Sequence, residues 1–219
     1  MVLPGTPLAK EYANGTFKPY NDTVLAKVVT NIMELAPPWT RISRIVRDIP
    51  STHVIAGAKI TNLRQILDER GVISHDIRSR ELRDGTFELQ HLKLVTREYV
   101  ANEGAEIFLA YEDAKKDKII SFCRLRLPTM GNRKQETGNS GNRVAFIREV
   151  HTYGIETAVG TTGKTSQHKG FGKKLIAEAE KIAKGAGYTE VAIPAGCGVR
   201  PYYAKLGYEL KKTYMCKDL

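Results

Sequence analysis

The sequence predicts an α/β domain preceded by a smaller mixed segment, on three observations. From Glu88 onward, short apolar-rich runs alternate in strand fashion. A glycine-bearing turn, Gln167-His168-Lys169-Gly170-Phe171-Gly172, opens an amphipathic helix soon after a strand. A further strand, a short helix and a last strand follow that helix.

Taken in order, the chain opens with turn-rich Leu3-Pro4-Gly5-Thr6-Pro7. Val24, Leu25, Val28, Val29, Ile32 and Leu35 then recur at helical spacing behind the cap candidates Asn21 and Asp22. Pro37-Pro38 end that helix. Ile42, Ile45, Val46 and Ile49, with arginines between them, predict a short buried strand or a strand running into a helix. Asn62 to Asp68 reads as another helix, whereas Ile77 to Leu82 is too polar for a core element. Glu88 to Glu98 alternates as a strand. Glu106 to Glu112 and Lys118 to Leu127 form an antiparallel hairpin around Asp113-Ala114-Lys115-Lys116-Asp117. Thr129 to Asn142 is polar and glycine-rich, a long mobile loop. Arg143 to Tyr153 is a strand. The helix from Gly170 sets Phe171, Leu175, Ile176, Ala179, Ile182 and Ala183 on one face and ends at Gly185 and Gly187. Thr189 to Ala195 is a strand, Tyr202 to Leu206 a short helix behind Pro201, and Tyr208 to Met215 the last strand.

Composition narrows the function classes. Hydrophobic residues make up 42% and charged residues 26%, and no apolar run approaches the ~20 residues that span a bilayer. Membrane-spanning and wholly disordered classes are excluded. Met1-Val2-Leu3-Pro4-Gly5 lacks the basic and apolar regions of a secretory signal, so a cytoplasmic location is expected. Cys123, Cys197 and Cys216 are too far apart for a disulfide framework or a thiolate metal knuckle, and no metal site is expected. The net charge of +10 favours a polyanionic partner, a nucleic acid or a phosphorylated cofactor. Residues 1–91 hold 12 basic and 10 acidic groups and the remainder 22 and 14, so the excess lies C-terminally.

The Gln167 to Gly172 turn places glycines where bulk would obstruct close approach. It precedes helical N–H groups that lack internal partners. It reads either as a pyrophosphate site or as a glycine loop without a ligand.

With Tyr202-Tyr203-Ala204-Lys205-Leu206-Gly207-Tyr208 downstream, the chain resembles the GNAT acetyltransferase superfamily, whose acetyl-CoA loop has the form Q/R-x-x-G-x-G/A. Arg148-Glu149-Val150-His151-Thr152-Tyr153-Gly154, Gln167 to Gly172, Arg200 to Tyr208 and Tyr214-Met215 together look like the family of Elongator catalytic subunits, the tRNA uridine acetyltransferases. Upstream, Phe17-Lys18-Pro19-Tyr20, Pro37 to Ile42, Arg47-Asp48-Ile49-Pro50, Asn62-Leu63-Arg64 and Ile77 to Glu81 extend the similarity to essentially the whole chain.

The resemblance implies a GNAT fold, a mixed, mostly antiparallel sheet flanked by helices, over residues 86–219. Residues 1–85 would be the tail of a radical S-adenosylmethionine barrel with a linker. It implies acetyl-CoA as cofactor, and in the intact enzyme S-adenosylmethionine and an iron–sulfur cluster whose three closely spaced cysteines this chain lacks. The implied function is 5-carboxymethyluridine synthesis at the tRNA wobble position, with tRNA-stimulated acetyl-CoA hydrolysis or acetyl delivery. The fragment alone would not complete that modification. Implied partners are the anticodon region of tRNA, the missing barrel and accessory Elongator subunits. Two other readings stay open: a protein lysine (histone-type) N-acetyltransferase, and a tRNA-binding module with a vestigial CoA site. Family members carry cysteines near Ile77 to Glu81, where this chain has Ser74, Asp76 and Ser79; His75, Asp76 and His91 are expected as solvated polar residues.

By resemblance, Tyr203 is the general acid that protonates the departing thiolate. Glu149 and His151, two apart on one strand, share a face. They handle a proton together, one orients the other, or both face solvent. Backbone groups of Glu149, Val150, His151 and Thr152 would pair with the pantetheine arm. Gln167, Lys169, Gly170, Phe171, Gly172 and Lys173 would hold the pyrophosphate. Lys164, Lys169, Lys173 and Lys174 reach the 3′-phosphate or tRNA, or form a solvated face. Tyr202 reads as a packing residue. Arg41, Arg44, Arg47, Arg78, Arg80 and Arg83 are the candidate tRNA phosphate contacts.

Overall fold

A computed structural model describes residues 1–47, 49–83, 87–129, 143–154 and 170–219. The chain divides into two compact units, Met1–Arg80 and Glu81–Leu219. No helix among the described residues is long and apolar enough to cross a membrane.

The first unit is helical. Helix α1 (Pro7–Ala13) begins at Thr6, whose hydroxyl accepts from the Ala9 N–H. Helix α2 (Asp22–Leu35) begins at Asn21, whose side chain accepts from the Val24 N–H, and α3 (Leu63–Glu69) and the single turn α4 (Ile77–Arg80) follow. The periodicity of α2 is as predicted, but its apolar positions split. Val29 and Met33 are buried with Leu63 and Leu67, while Val24, Val28, Ile32 and Leu35 are exposed. The segment after Pro38 forms neither strand nor helix among its described residues, and Ile42, Ile45 and Val46 pack onto this core from irregular chain. The expected strand, or strand running into a helix, is thus absent among the described residues.

Two expectations near residue 77 are corrected. Ile77 and Leu82 are buried, so the segment does enter a core despite its polar composition. Asp76 is 0% exposed rather than solvated. Its carboxylate accepts from the Ile42 N–H at 3.0 Å, Arg64 Nη2 at 2.7 Å, Ser74 Oγ at 2.9 Å, Ser79 Oγ at 2.8 Å and the Arg78 N–H at 3.2 Å. Arg64 also donates to Ile42 O at 3.1 Å. A charge this deeply buried persists only when paired and hydrogen-bonded.

The second unit is a seven-stranded sheet in the order β1-β2-β3-β4-β5-β7-β6. Strands β1 (Leu92–Val100), β2 (Gly104–Asp113), β3 (Lys118–Pro128) and β4 (Val144–Thr152) form an antiparallel meander, with the β2–β3 hairpin where it was expected. Helix α5 (Phe171–Gly185) connects β4 to β5 (Glu190–Ile193), and these two strands run parallel. Helix α6 (Arg200–Ala204) precedes β6 (Glu209–Lys211) and β7 (Tyr214–Asp218). The single last strand predicted from Tyr208 is thus a hairpin, broken where Lys212 takes φ 57°.

Helix α5 lies on one sheet face, burying Phe171, Leu175, Ile176, Ala179 and Ala183, with Ile182 at the margin. Each fully buried Leu or Ile contributes roughly 1.5–3 kcal/mol. Tyr208, buried in the same core, donates to Glu180 Oε1 at 2.7 Å, and Lys217 Nζ holds the other oxygen at 2.9 Å. These contacts fix the helix over the strands and set the position of its first turn.

Candidate active site

The parallel pair β4–β5 is short. Only Val144, Ala145 and Phe146 pair with Glu190, Val191 and Ala192. In the β3–β4 ladder Leu125 opposes Ile147 but Arg124 opposes Glu149, so Arg148 is an extra residue on β4. A bulge bends its strand and ends regular pairing on one side. Beyond it β4 stays paired with β3 as far as Thr152, while no strand among the described residues covers its other edge. The result is a V between β4 and β5.

Helix α5 starts at the mouth of this V. Its cap, Gly170, has φ 72°, a left-handed conformation in which a side chain is strained. The first intrahelical donor of the turn is the Lys174 N–H, to Gly170 O at 3.1 Å, which leaves the N–H groups of Phe171, Gly172 and Lys173 pointing outward. A Cβ on Gly172 would stand 3.3 Å from Tyr202 Oη and 3.8 Å from both Thr152 Oγ1 and Val150 Cγ1. Glycine keeps this approach free of a side chain, and the helix dipole favours negative charge at this end.

The two tyrosines of α6 differ in burial. Tyr203 is 9% exposed and belongs to the core that includes Cys123 and Tyr208. Burial raises its pKa, with Tyr202 and Cys123 adding to the shift, so its phenol stays protonated. Tyr202, 37% exposed, packs edge-on against Tyr203 with ring centroids 5.2 Å apart and sets its hydroxyl at the Gly172 end of the V. Tyr202 thus packs on its neighbour as the sequence reading had it, and its hydroxyl also comes near Gly172.

Glu149 and His151 do share one strand face, and both are exposed. Glu149 Oε2 accepts from Arg124 Nε at 2.9 Å, and the Arg124 guanidinium lies over the Phe108 and Phe122 rings at 5.3 and 5.7 Å. His151 stacks on Phe122 at 5.9 Å and approaches Tyr153 at 4.4 Å. Val150 and Thr152 alternate to the side of α5. Gln167 and Lys169, with Lys164 and His168, lie outside the described residues, as do 130–142 of the predicted loop and Asp48.

Of the arginines assigned to tRNA, Arg41, Arg44, Arg47 and Arg83 are exposed and Arg78 is half-buried, its guanidinium donating to Ser43 O. Arg80 is corrected: at 4% exposure its guanidinium is inside the protein and not presented to a phosphate. Among the described residues no group of three His, Cys, Asp or Glu could hold a metal ion. Burial pushes the Cys123 thiol up to about 12, with Glu149 adding to it, which makes it inert.

Comparison with known proteins gives the family and the fold. Residues 1–71 match the Radical_SAM C-terminal domain, and residues 74–208 match the Acetyltransferase (GNAT) family. The chain is similar to the tRNA uridine(34) acetyltransferase of Methanocaldococcus jannaschii, 38% identical over 232 residues, covering 100% of this chain and 42% of that protein. Elongator complex protein 3 of Homo sapiens is 38% identical and that of Saccharomyces cerevisiae 39%, each over 100% of this chain and 41% of theirs. The solved structure of the archaeal Methanocaldococcus infernus Elp3 with an N-terminal deletion superposes with a TM-score of 0.86 at 35% identity, covering 100% of this chain and 54% of that one. The chain therefore spans about two fifths of the length of the curated relatives it matches.

Proposed function

This chain belongs to the acetyltransferase (GNAT) family and matches Elongator catalytic subunits along its whole length, and from that premise we propose that it is the acetyl-CoA-binding part of a tRNA wobble-uridine-modifying acyltransferase. Residues 86–219 form its acetyltransferase domain and residues 1–85 the end of the radical S-adenosylmethionine region with its linker. The protein acts in the cytoplasm on the anticodon region of tRNA, together with accessory Elongator subunits.

The observation that carries this reading is the edge of β4 from Ile147 to Thr152, which no described strand covers, beside the first turn of α5. The residues present fit acetyl-CoA, because the Gly172 approach is open and the outward N–H groups of α5 suit a pyrophosphate. When bound, acetyl-CoA supplies an activated acetyl thioester. Phe171, Gly172 and Lys173 hold its phosphates through their N–H groups. Val150 and neighbouring backbone groups of β4 orient its arm as an added strand would be oriented. Tyr203, protonated in its buried position, gives its Oη proton to the thiolate sulfur as the C–S bond breaks. Glu149 and His151, on the opposite face, meet the acyl acceptor or the attacking water. Cys123 and Cys216 are buried and Cys197 exposed, far apart in sequence, so they do not fit an iron–sulfur cluster. The radical step at carbon 5 of uridine belongs to the remainder of the intact enzyme.

The test is thiol release from acetyl-CoA by this chain with and without tRNA. We expect release that rises with tRNA and falls at least about ten-fold in Tyr203→Phe, with CoA affinity unchanged. Transfer to lysine peptides that ignores tRNA would replace this reading with a protein acetyltransferase, and no release or cofactor binding at all would leave a non-catalytic module.

A further inference from the structure

Ser121 lies on β3 beneath the end of β4 and is fully buried. Its Oγ is 2.9 Å from His151 O and 2.8 Å from Thr152 Oγ1. A serine hydroxyl has one proton. The carbonyl of His151 can only accept, so that proton goes to the carbonyl; the reverse arrangement would set two lone pairs against each other at 2.9 Å in a buried place. Ser121 Oγ must then accept from Thr152. The Thr152 proton is thereby turned inward, and what Thr152 Oγ1 presents toward Gly172, 3.8 Å from where a Cβ on that residue would stand, is lone pairs alone.

This orientation sorts ligands. A phosphate oxygen at neutral pH is also an acceptor and is repelled from Thr152 Oγ1, although the N–H groups of α5 beside it attract the same oxygen. The mouth of the V therefore has two poles of opposite hydrogen-bonding sense: donors on α5 and an acceptor on β4. Resting on the acetyl-CoA reading above, we propose that Thr152 is an acceptor subsite for a secondary amide N–H in the cofactor's arm, and that Ser121 is the positioning residue that keeps Thr152 in that sense. The site thus recognises an amide-bearing thioester carrier as well as its phosphates. Nothing in the sequence marks Ser121, because a serine in the middle of an apolar strand looks like a tolerated small residue.

The test is calorimetric titration of the full chain with two ligands, CoA and adenosine 3′-phosphate 5′-diphosphate, which carries the phosphates without the amide arm. Thr152→Val keeps the β-branched shape and removes the acceptor. It is expected to weaken CoA about five- to ten-fold, the worth of one hydrogen bond, and not to weaken the diphosphate, which loses only a repulsion. Thr152→Ser restores wild-type affinity for CoA. Ser121→Ala frees the Thr152 proton, so it weakens CoA but does not weaken the diphosphate. Retained diphosphate binding shows in each variant that the site is folded. Equal weakening of both ligands by Thr152→Val, or of neither, overturns the subsite, and an unchanged CoA affinity in Ser121→Ala overturns the positioning role. Failure of the wild type to bind either ligand overturns the cofactor reading itself, and the subsite with it.

Discussion

Asp76 shows how one side chain can serve as the keystone of a unit. Burial, the largest influence on its carboxyl, pushes the pKa up, yet the hydrogen bonds from Ser79, the Ile42 N–H, Arg64 and Ser74 together outweigh it and hold the value below that of ordinary aspartate. Its contribution to stability is therefore complete above about pH 4, the unfolded value, and is lost as pH falls through the lower folded value. Unfolding of the chain in urea at a series of pH values should show this decline as the pH is taken below about 4. Asp76→Asn leaves Arg64, only 15% exposed in its side chain, without its counter-charge. It should cost about 3 kcal/mol at pH 7 and flatten the acid limb. At the other site, the hydroxyl of Tyr202 stands beside Gly172, where the cofactor's phosphates are proposed to lie, whereas Tyr203 is the proposed proton donor. Tyr202→Phe should therefore raise the dissociation constant for CoA several-fold with little effect on the turnover of bound cofactor, the reverse of Tyr203→Phe, and single-turnover thiol release separates the two.

Helix α5 carries the strongest prediction among the elements. Gly172 sits in its first turn, where a larger residue costs the helix nothing by propensity, but a Cβ there already meets Tyr202 Oη at 3.3 Å. Gly172→Glu should abolish CoA binding by filling the mouth and adding a like charge, while circular dichroism and the thermal midpoint stay close to wild type. This helix was legible in the sequence because its apolar period, its glycine start and its Gly185-Ala186-Gly187 end all agree. The β2–β3 hairpin was legible for a similar reason, with a charged turn between two apolar runs. The V itself was not, since the bulge at Arg148 is marked by no residue type and depends on the register of β4 against β3 and on where its pairing with β5 ends. The β6–β7 hairpin was hidden as well, because a lysine, not a glycine or asparagine, occupies its left-handed position. Burial of Ile77 and Arg80 came from tertiary packing, which overrides a local polar composition.

At the scale of the whole molecule, the excess of ten positive charges predicts a salt-dependent association with RNA. Each phosphate neutralised by a lysine or arginine releases condensed cations and adds about −0.7 (single strand) to −0.9 (duplex) to the slope of log K against log salt. Arg41, Arg44 and Arg47 are exposed at every third position of an irregular segment. If they contact tRNA phosphates, replacing all three with alanine should make the slope shallower by about two and weaken binding at low salt without changing which RNAs bind. Arg80→Ala makes an opposite pair of demands: its guanidinium is buried, so it should lower the thermal midpoint and leave the slope alone. Filter binding across 50 to 300 mM salt, on the same preparations used for thermal melts, reads both quantities. A triple variant with an unchanged slope would exclude these three arginines as phosphate contacts and leave the other basic groups, of which 22 lie in residues 92–219, as the surface to be scanned next.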